Sequence, residues 1–547
     1  MIETLAPHLV SAHPAPDPAP RDLPDLLRGL ADRDPDAVIA LDGGRLAVTR
    51  GQLWRRTCAV AAELTQRGFG AGDCVALWLP NWSDALVWQF AVAAVGGHVI
   101  GINTRYNVDE TRHVLSRAQP ALVVLAHEFH DLDLLARLRH AVAGAAPPAI
   151  AVTAGPGRAV PAPEDYDIGG GAWLPVRDDG PDPGLSDPSA AAVAFTTSGS
   201  TGLPKLAVHS GTGVLRHAVA DAATIGIAEG QHVLCALPLS GVFGYNTAMA
   251  AIAAGAVCVL EPLFDADAVL DDMERLGVTH VVSGDDLVLR LAEAWKARPR
   301  DLSEWKWWGV ADFQGRSQEL AAWARDSFGT RTSGVYGSSE VFALTAHWPA
   351  AEPEPGCWVG GGRVVHPDIE VRVADPQTGA PHPPGVEGEL QFRGPNVVNG
   401  YLGADVPDSF TDDGWFHSGD LGVLIDRGAF AYICRMGDAL RLRGFLVDPT
   451  EIEIRLAEHP DVQTAKVVGI AGEDGATVAV GFVVPQTGCT ADAAALRSWC
   501  AEGLARFKVP ETVLIVDAMP TTSGINGTKI RAATLREWAL QARRDGR

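Results

Sequence analysis

Short apolar, β-branched runs alternate along most of the chain with segments whose apolar residues recur at helical spacing. Val75–Leu79, Ala121–Leu125, Val233–Leu237, Ala256–Leu260 and Val278–Val282 read as strands buried on both faces. Alternation of this kind predicts parallel sheets covered by helices, an α/β architecture. The uncharged run Ala85–Ile102 is nearly long enough to cross a bilayer, yet it contains Gln89, His98 and the pair Gly96-Gly97. A buried helix followed by a core strand at His98–Ile102 accounts for it better. Leu134–Val142 has helical spacing and gives way to a Gly/Pro-rich stretch, Gly144–Pro188, expected to form surface loops.

From Val371 the pattern changes to shorter strands, Val371–Val373, Glu389–Phe392 and Ala429–Ile433, separated by Gly and Pro. This predicts a β-rich subdomain over about 365–434. After Arg435 come a helix beginning near Pro449-Thr450-Glu451, strands at Thr464–Gly469 and Thr477–Val484, a helix over Ala493–Gly503 and a final helix from Ala532. That is the size of a small α+β domain. The expected division is a large N-terminal domain, 1–434, and a C-terminal one, 435–547. Pro14–Pro20 reads as a loosely ordered lead-in.

The 547 residues leave room for more than one compact unit, and 47% hydrophobic with 20% charged residues is ordinary for a folded globular chain. Charge changes the picture more. With 67 acidic and 44 basic side chains the net charge is -23, which repels nucleic acid and anionic lipid. An anionic ligand must then be held by a few placed cations and backbone N–H groups. The eight cysteines form no C-x-x-C pair, so neither a disulfide framework nor a zinc site is expected. The N-terminal stretch lacks a basic region leading into an apolar one, and a cytoplasmic location is the expectation.

The strongest chemical signal follows the apolar strand Ala191–Phe195: Thr196-Thr197-Ser198-Gly199-Ser200-Thr201-Gly202-Leu203-Pro204-Lys205. Small residues let the backbone approach a ligand, consecutive N–H groups can form an anion nest, and one Lys adds a point charge for a polyphosphate. The spacing is not that of a Walker A loop. On composition alone a Ser/Thr/Gly surface loop would look the same. His127-Glu128-Phe129-His130-Asp131 lacks the H-E-x-x-H spacing and reads as a polar surface turn.

Together with Tyr336-Gly337-Ser338-Ser339-Glu340, Gly414-Trp415-Phe416-His417-Ser418-Gly419-Asp420, Arg435 and Asn526-Gly527-Thr528-Lys529-Ile530, this loop resembles the ordered motifs of the adenylate-forming ANL superfamily. That superfamily comprises acyl- and aryl-CoA synthetases, peptide-synthetase adenylation domains and firefly-type luciferases. The resemblance implies the ANL fold: a large N-terminal α/β domain of parallel-sheet layers with a β-rich subdomain, and a small mobile α+β C-terminal domain. It implies an AMP-forming acid–CoA ligase, in which ATP and Mg²⁺ convert a carboxylate to an acyl-adenylate and CoA captures it as a thioester.

By the same resemblance Thr197, Ser198, Gly199, Ser200, Thr201, Gly202 and Lys205 cradle the β- and γ-phosphates. Glu340 with Thr201 holds Mg²⁺, and Ser339 touches the α-phosphate. Tyr336, within Tyr336-Gly337-Ser338, stacks on adenine, which Gly309–Gly315 also lines. Asp420 grips the ribose hydroxyls, with Arg435 as a second contact. Lys529 bridges the substrate carboxylate and the α-phosphate as charge builds there. Lys529, Glu340 and Ser339 are thus the catalytic candidates. His209 and His417, in motif flanks, orient their neighbours.

The family pattern also implies a hinge just after Arg435, about which the C-terminal domain swings. Here it reads Gly437-Asp438 where Asp or Lys usually stands first, and glycine permits the dihedral change. In the acceptor loop, Arg441-Leu442-Arg443-Gly444-Phe445-Leu446-Val447 replaces the usual Lys-Tyr-Lys-Gly-Phe/Tyr-Gln-Val, keeping Gly444. Arginine and lysine are not interchangeable. The acceptor therefore stays open between CoA and a carrier-protein thiol or an amine, the latter including nitrite-activating diazotase-type chemistry. A nucleotide-binding pseudoenzyme is a third reading, against which stand Lys205, Glu340, Asp420 and Lys529. The segment Leu237–Asn246 has Ser240-Gly241 where the family usually carries an aromatic-His pair. This leaves room in an acyl pocket to which Phe243, Tyr245 and Phe342 contribute, unless a side chain such as Tyr245 fills it. Apolar walls from the helix after Asn246 and a strand Val341–Leu344 suit a fatty or aromatic acid. The expected partners are that acid, ATP and CoA, with no membrane span.

Overall fold

The computed structural model describes residues 20–545 apart from 157, 158, 160, 176–178, 185, 198–203, 404–408, 437–439, 443, 444, 448, 473–476, 507, 525 and 526. An eight-stranded sheet is built around the strand Cys74–Trp78, whose parallel neighbours are His98–Gly101 and Leu122–His127. Val75 stands opposite Val99 on one side and Leu122 on the other, so apolar side chains fill both faces. The strand Ala191–Thr196 adds on in parallel, and Leu206–Ser210 returns antiparallel to it.

A second sheet of thirteen strands begins parallel, with His232–Cys235, Val257–Leu260, Val278–Gly284 and Trp307–Ala311. Arg331–Ser338 continues it in parallel, and Phe342–His347 folds back antiparallel. From there the sheet runs on through the antiparallel strands Gly361–Val364, Ala429–Arg435, Phe416–Asp426, Glu387–Arg393 and Glu370–Ala374. One hydrophobic core joins the two sheets and the helices Ser83–Ala94 and Val242–Ala253. Every residue of Ser83–Ala94 is buried, as befits a helix that is apolar all round.

The C-terminal part has its own sheet, in which Val462–Ala471 pairs antiparallel with Thr477–Pro485. Alternate residues face opposite ways along these strands. Val467, Ala479 and Val483 meet Ile452, Leu456, Leu496 and Cys500 from the helices Pro449–Ala457 and Ala493–Gly503. Val468, Val480 and Phe482 meet Leu535 and Ala539 of the helix Ala532–Arg544.

Three expectations need correction. The stretch Gly144–Pro188 is not loop throughout: Ala149–Ala154 is a buried strand parallel to Leu122–His127, because Ile150 and Val152 complete the sheet's apolar edge. The helix expected after Asn246 starts at Val242 and carries Asn246 inside it. The strand expected from Val341 begins one residue later, at Phe342, and runs to His347, with Phe342 at φ 69° and Leu344 at φ 59°. In the turn at 127–131, Phe129 is buried and packs edge-on against Trp82. Among the described residues, no helix is long and apolar enough to cross a membrane.

Asn81 ties the two sheets together. Its amide nitrogen donates to the carbonyls of Cys235 (2.9 Å) and Leu237 (2.8 Å) in the interior, and its oxygen accepts from the half-buried Leu239 N–H (2.9 Å). At ~1–3 kcal/mol per orphaned buried group, Asn81→Ala is expected to cost about 3 kcal/mol or more. Thermal unfolding should show this as a fall in Tm; an unchanged Tm would mean the staple is dispensable.

Candidate active site

The loop that leaves Thr196 and returns at Lys205 is clasped at its base. Thr197 N–H donates to the Lys205 carbonyl (2.9 Å), and Lys205 N–H donates to Thr197 Oγ1 (3.2 Å). Ser198, Gly199, Ser200, Thr201 and Gly202 lie outside the described residues. Lys205 is exposed, with its Nζ 5.2 Å from the centre of the Tyr401 ring.

Beside this base runs the Tyr336–Glu340 segment. Ser339 Oγ donates to the Thr196 carbonyl (3.0 Å), and the Ser339 carbonyl accepts from His209 Nε2 (2.7 Å). Ser338 Oγ accepts from the N–H groups of Glu340 and Val341, which shapes the turn. A Cβ on Gly337 would stand 2.4 Å from the Phe342 carbonyl oxygen, so the backbone passes there only because residue 337 is glycine. Burial pushes the Glu340 carboxyl up, while Arg435, Ser338 and Lys205 pull it down. Glu340 therefore senses both cations.

The third strand pair supplies Asp420 and Arg435, which face each other in register. Asp420 Oδ2 accepts from the Tyr336 hydroxyl (2.6 Å), and Arg435 Nη1 lies 3.0 Å from Asp420 Oδ1. Arg435 also donates to the Ser418 carbonyl (2.6 Å). Burial raises the Asp420 carboxyl, against the pull of Arg435 and Tyr336. Tyr336 is itself buried, its ring stacked on Phe392 at 5.4 Å, and in this arrangement its phenol serves Asp420. The sequence reading missed Glu389, which accepts from Gly419 N–H (3.2 Å) and pairs with His417 Nδ1 (2.7 Å). It fixes the turn that carries Asp420. The surrounding sequence carries no clear signal, since the strand Glu387–Arg393 also holds Glu387, Gln391 and Arg393.

The proposed acyl-pocket residues separate into two groups. Ser240 and Tyr245 line a cavity with Leu77, Leu86, Val99 and Val193. Tyr245 is buried edge-on against Phe195 (5.2 Å), and its hydroxyl has no hydrogen-bond partner. Phe342 and Phe243 are buried in the main core, and Gly241 caps the helix that begins at Val242. Of Lys529 the backbone is described: it stands opposite Thr522 in the hairpin of Thr521–Gly524 and Gly527–Ile530. Arg441 lies opposite Leu446 in the acceptor-loop hairpin, whereas Gly437, Asp438, Arg443 and Gly444 lie outside the described residues.

One buried and one half-buried carboxylate, two cations and the base of a small-residue loop thus come together from separate stretches of chain. This is the framework of an adenylate-forming enzyme. The profile of the AMP-binding enzyme family matches residues 27–402, and that of the AMP-binding enzyme C-terminal domain matches 451–524. The chain belongs to the AMP-binding enzyme family. It is 29% identical over 509 residues to a feruloyl-CoA synthase of Amycolatopsis sp, covering 90% of this chain and 94% of that one. Among solved structures, ATP-bound MatB from Rhodopseudomonas palustris superposes with a TM-score of 0.79 at 26% identity, covering 94% and 98% of the two chains. The amide bond synthetase McbA from Marinactinospora thermotolerans gives 0.78 at 25% identity, covering 94% and 99%.

Glu340 and Asp420 lose their charge as pH falls through values that burial has raised, and Arg435 opposes that rise. ATP affinity is therefore expected to weaken on the acid side. Arg435→Met should move that limb to higher pH, since the anions lose a stabilising cation. Calorimetric titration of ATP across pH checks this, and a limb that stays in place would contradict it.

Proposed function

We propose that the chain is an ATP-dependent acid–CoA ligase acting on a fatty or aromatic acid. The observation that carries this reading is the meeting of the Thr197–Lys205 base, Ser339-Glu340 and the Tyr336–Asp420–Arg435 group. A carboxylate oxygen of the acid attacks the α-phosphorus of ATP, a P–O bond forms, and pyrophosphate leaves with the broken bond's electrons. The CoA sulfur then attacks the acyl carbon, AMP leaves, and the thiol proton is released. Both steps bring anions together, so positioning and charge neutralisation dominate.

In this reading Lys205 and the loop before it hold the outer phosphates, and Asp420, kept in place by Tyr336 and Arg435, takes the ribose hydroxyls. Glu340 offers a hard carboxylate oxygen, and the Thr hydroxyls of the loop offer more of the same donor type, which fits Mg²⁺. When bound there the ion would supply positive charge to the phosphates. Lys529 would approach from the C-terminal hairpin to neutralise charge at the α-phosphate, and withdraw when that domain turns about Gly437-Asp438. A cytoplasmic location suits such chemistry. The feruloyl-CoA synthase likeness supports an aromatic acid and CoA.

A second reading keeps adenylation but gives the acyl group to an amine or a carrier thiol. The arginines in the acceptor loop favour it, as does the likeness to an amide bond synthetase.

Purified protein incubated with ATP and candidate acids, with and without CoA, separates the two. Thioester and AMP rising together are expected for the first reading, and AMP release indifferent to CoA would count against it. Lys529→Ala is expected to lower acid-dependent pyrophosphate exchange at least about a hundredfold; near-normal exchange would refute the role given to Lys529.

A further inference from the structure

Two buried polar side chains outside the proposed nucleotide contacts converge on one carbonyl, and a buried carboxylate lies against both. His217 and Asp221 lie one turn apart on the helix Gly211–Ile225, and Asn246 lies on the helix Val242–Ala253. His217 Nε2 donates to the Ala343 carbonyl at 2.7 Å, and Asn246 Nδ2 donates to the same oxygen at 3.0 Å. Asp221 Oδ2 accepts from Asn246 Nδ2 and lies 3.3 Å from His217 Nε2. Burying such groups is costly unless they do something that apolar residues could not.

What they hold is the strained stretch in which the turn Ser339–Val341 enters the strand Phe342–His347. Ala343 sits between Phe342 and Leu344, both with left-handed backbone, a region that bulky residues rarely enter. The Phe342 ring is boxed in edge-on by His209 at 4.8 Å and His217 at 5.0 Å. The same turn begins at Ser339 and Glu340. Burial keeps His217 neutral, its pKa lowered to about 4, so it clamps the carbonyl as a neutral donor.

We infer that His217, Asp221 and Asn246 are positioning residues that lock the Ser339–Leu344 stretch and so set Ser339 and Glu340 for acid adenylation. This rests on the adenylation reading above. The carbonyl needs a donor at a fixed point rather than a charge, so glutamine at 217, whose amide can reach the same oxygen, should largely substitute for histidine. Phenylalanine fills the space but donates nothing.

The test compares wild type with His217→Phe, His217→Gln and Asn246→Ala by peptide-level hydrogen–deuterium exchange and by acid-dependent pyrophosphate exchange. His217→Phe and Asn246→Ala are expected to speed exchange in peptides covering 339–347, with other core peptides unchanged. They should also lower kcat about ten- to a hundredfold, as slight misplacement of reacting groups does. His217→Gln should recover most of both. If His217→Phe does not fold, Asn246→Ala carries the same comparison. Unchanged deuterium exchange over 339–347, or His217→Gln as impaired as His217→Phe, overturns the inference. A wild type that exchanges no pyrophosphate would refute the adenylation reading instead, and the deuterium arm would still decide whether the clamp exists.

Discussion

From Ser339 to Ala343 every backbone carbonyl is held by a donor, and this constraint fixes a turn that the chain would not otherwise keep. His209 takes the first and the Val398 N–H the second; Asn396 and Thr345 share the third, Thr345 takes the fourth, and His217 and Asn246 share the fifth. Each bond is worth only ~1 kcal/mol net, but a set of them offsets two left-handed residues. The donors come from the strand Leu206–Ser210, the helix Gly211–Ile225, the helix Val242–Ala253, the 396–398 segment and Thr345 of the adjoining strand. A local strain is thereby supported largely by the packing of distant elements, and Ser339 and Glu340 at the start of the turn inherit their rigidity.

The same logic governs charge. A chain with net charge -23 cannot draw a triphosphate to itself through its overall field, so attraction has to be local. Lys205 and Arg435 both act on Glu340, and Arg435 also pairs with Asp420. Without those cations the two carboxylates would be driven toward their neutral forms. Arg435 is thus a keeper of Asp420, and its own place is set by strand register and by the Ser418 carbonyl.

Much of this was legible in the sequence. Uniformly apolar runs such as Ala256–Leu260 could only be buried strands, and the helices Ala493–Gly503 and Ala532–Arg544 appear where their spacing put them. The site motifs were visible because each is a cluster of unusual composition. What escaped was whatever depends on contacts between distant segments. Ala149–Ala154 is a short apolar run between Pro pairs and Gly, and only the waiting edge of Leu122–His127 makes it a strand. The strand at Phe342–Leu344 was legible by propensity, whereas its two left-handed residues, which depend on Gly337 and the donors beneath Ala343, were not. His217 and Asp221 at i and i+4 on an otherwise apolar helix face were a usable signal, but their partner on another helix was not.

The C-terminal part follows from a different constraint. Its sheet has cores on both faces, one closed by Ile452, Leu456 and Leu496 and the other by Leu535 and Ala539. A unit that buries its own apolar surface on both sides can change its placement without exposing either core. Lys529 sits on a two-stranded hairpin, Thr521–Gly524 with Gly527–Ile530, that belongs to neither large sheet. In the proposed reading, a cation needed for only one of two successive steps is carried on this hairpin, which among the described residues touches the C-terminal core only through Ile530. The proposed nucleotide contacts are instead built into the thirteen-stranded sheet and the clasped loop before Lys205.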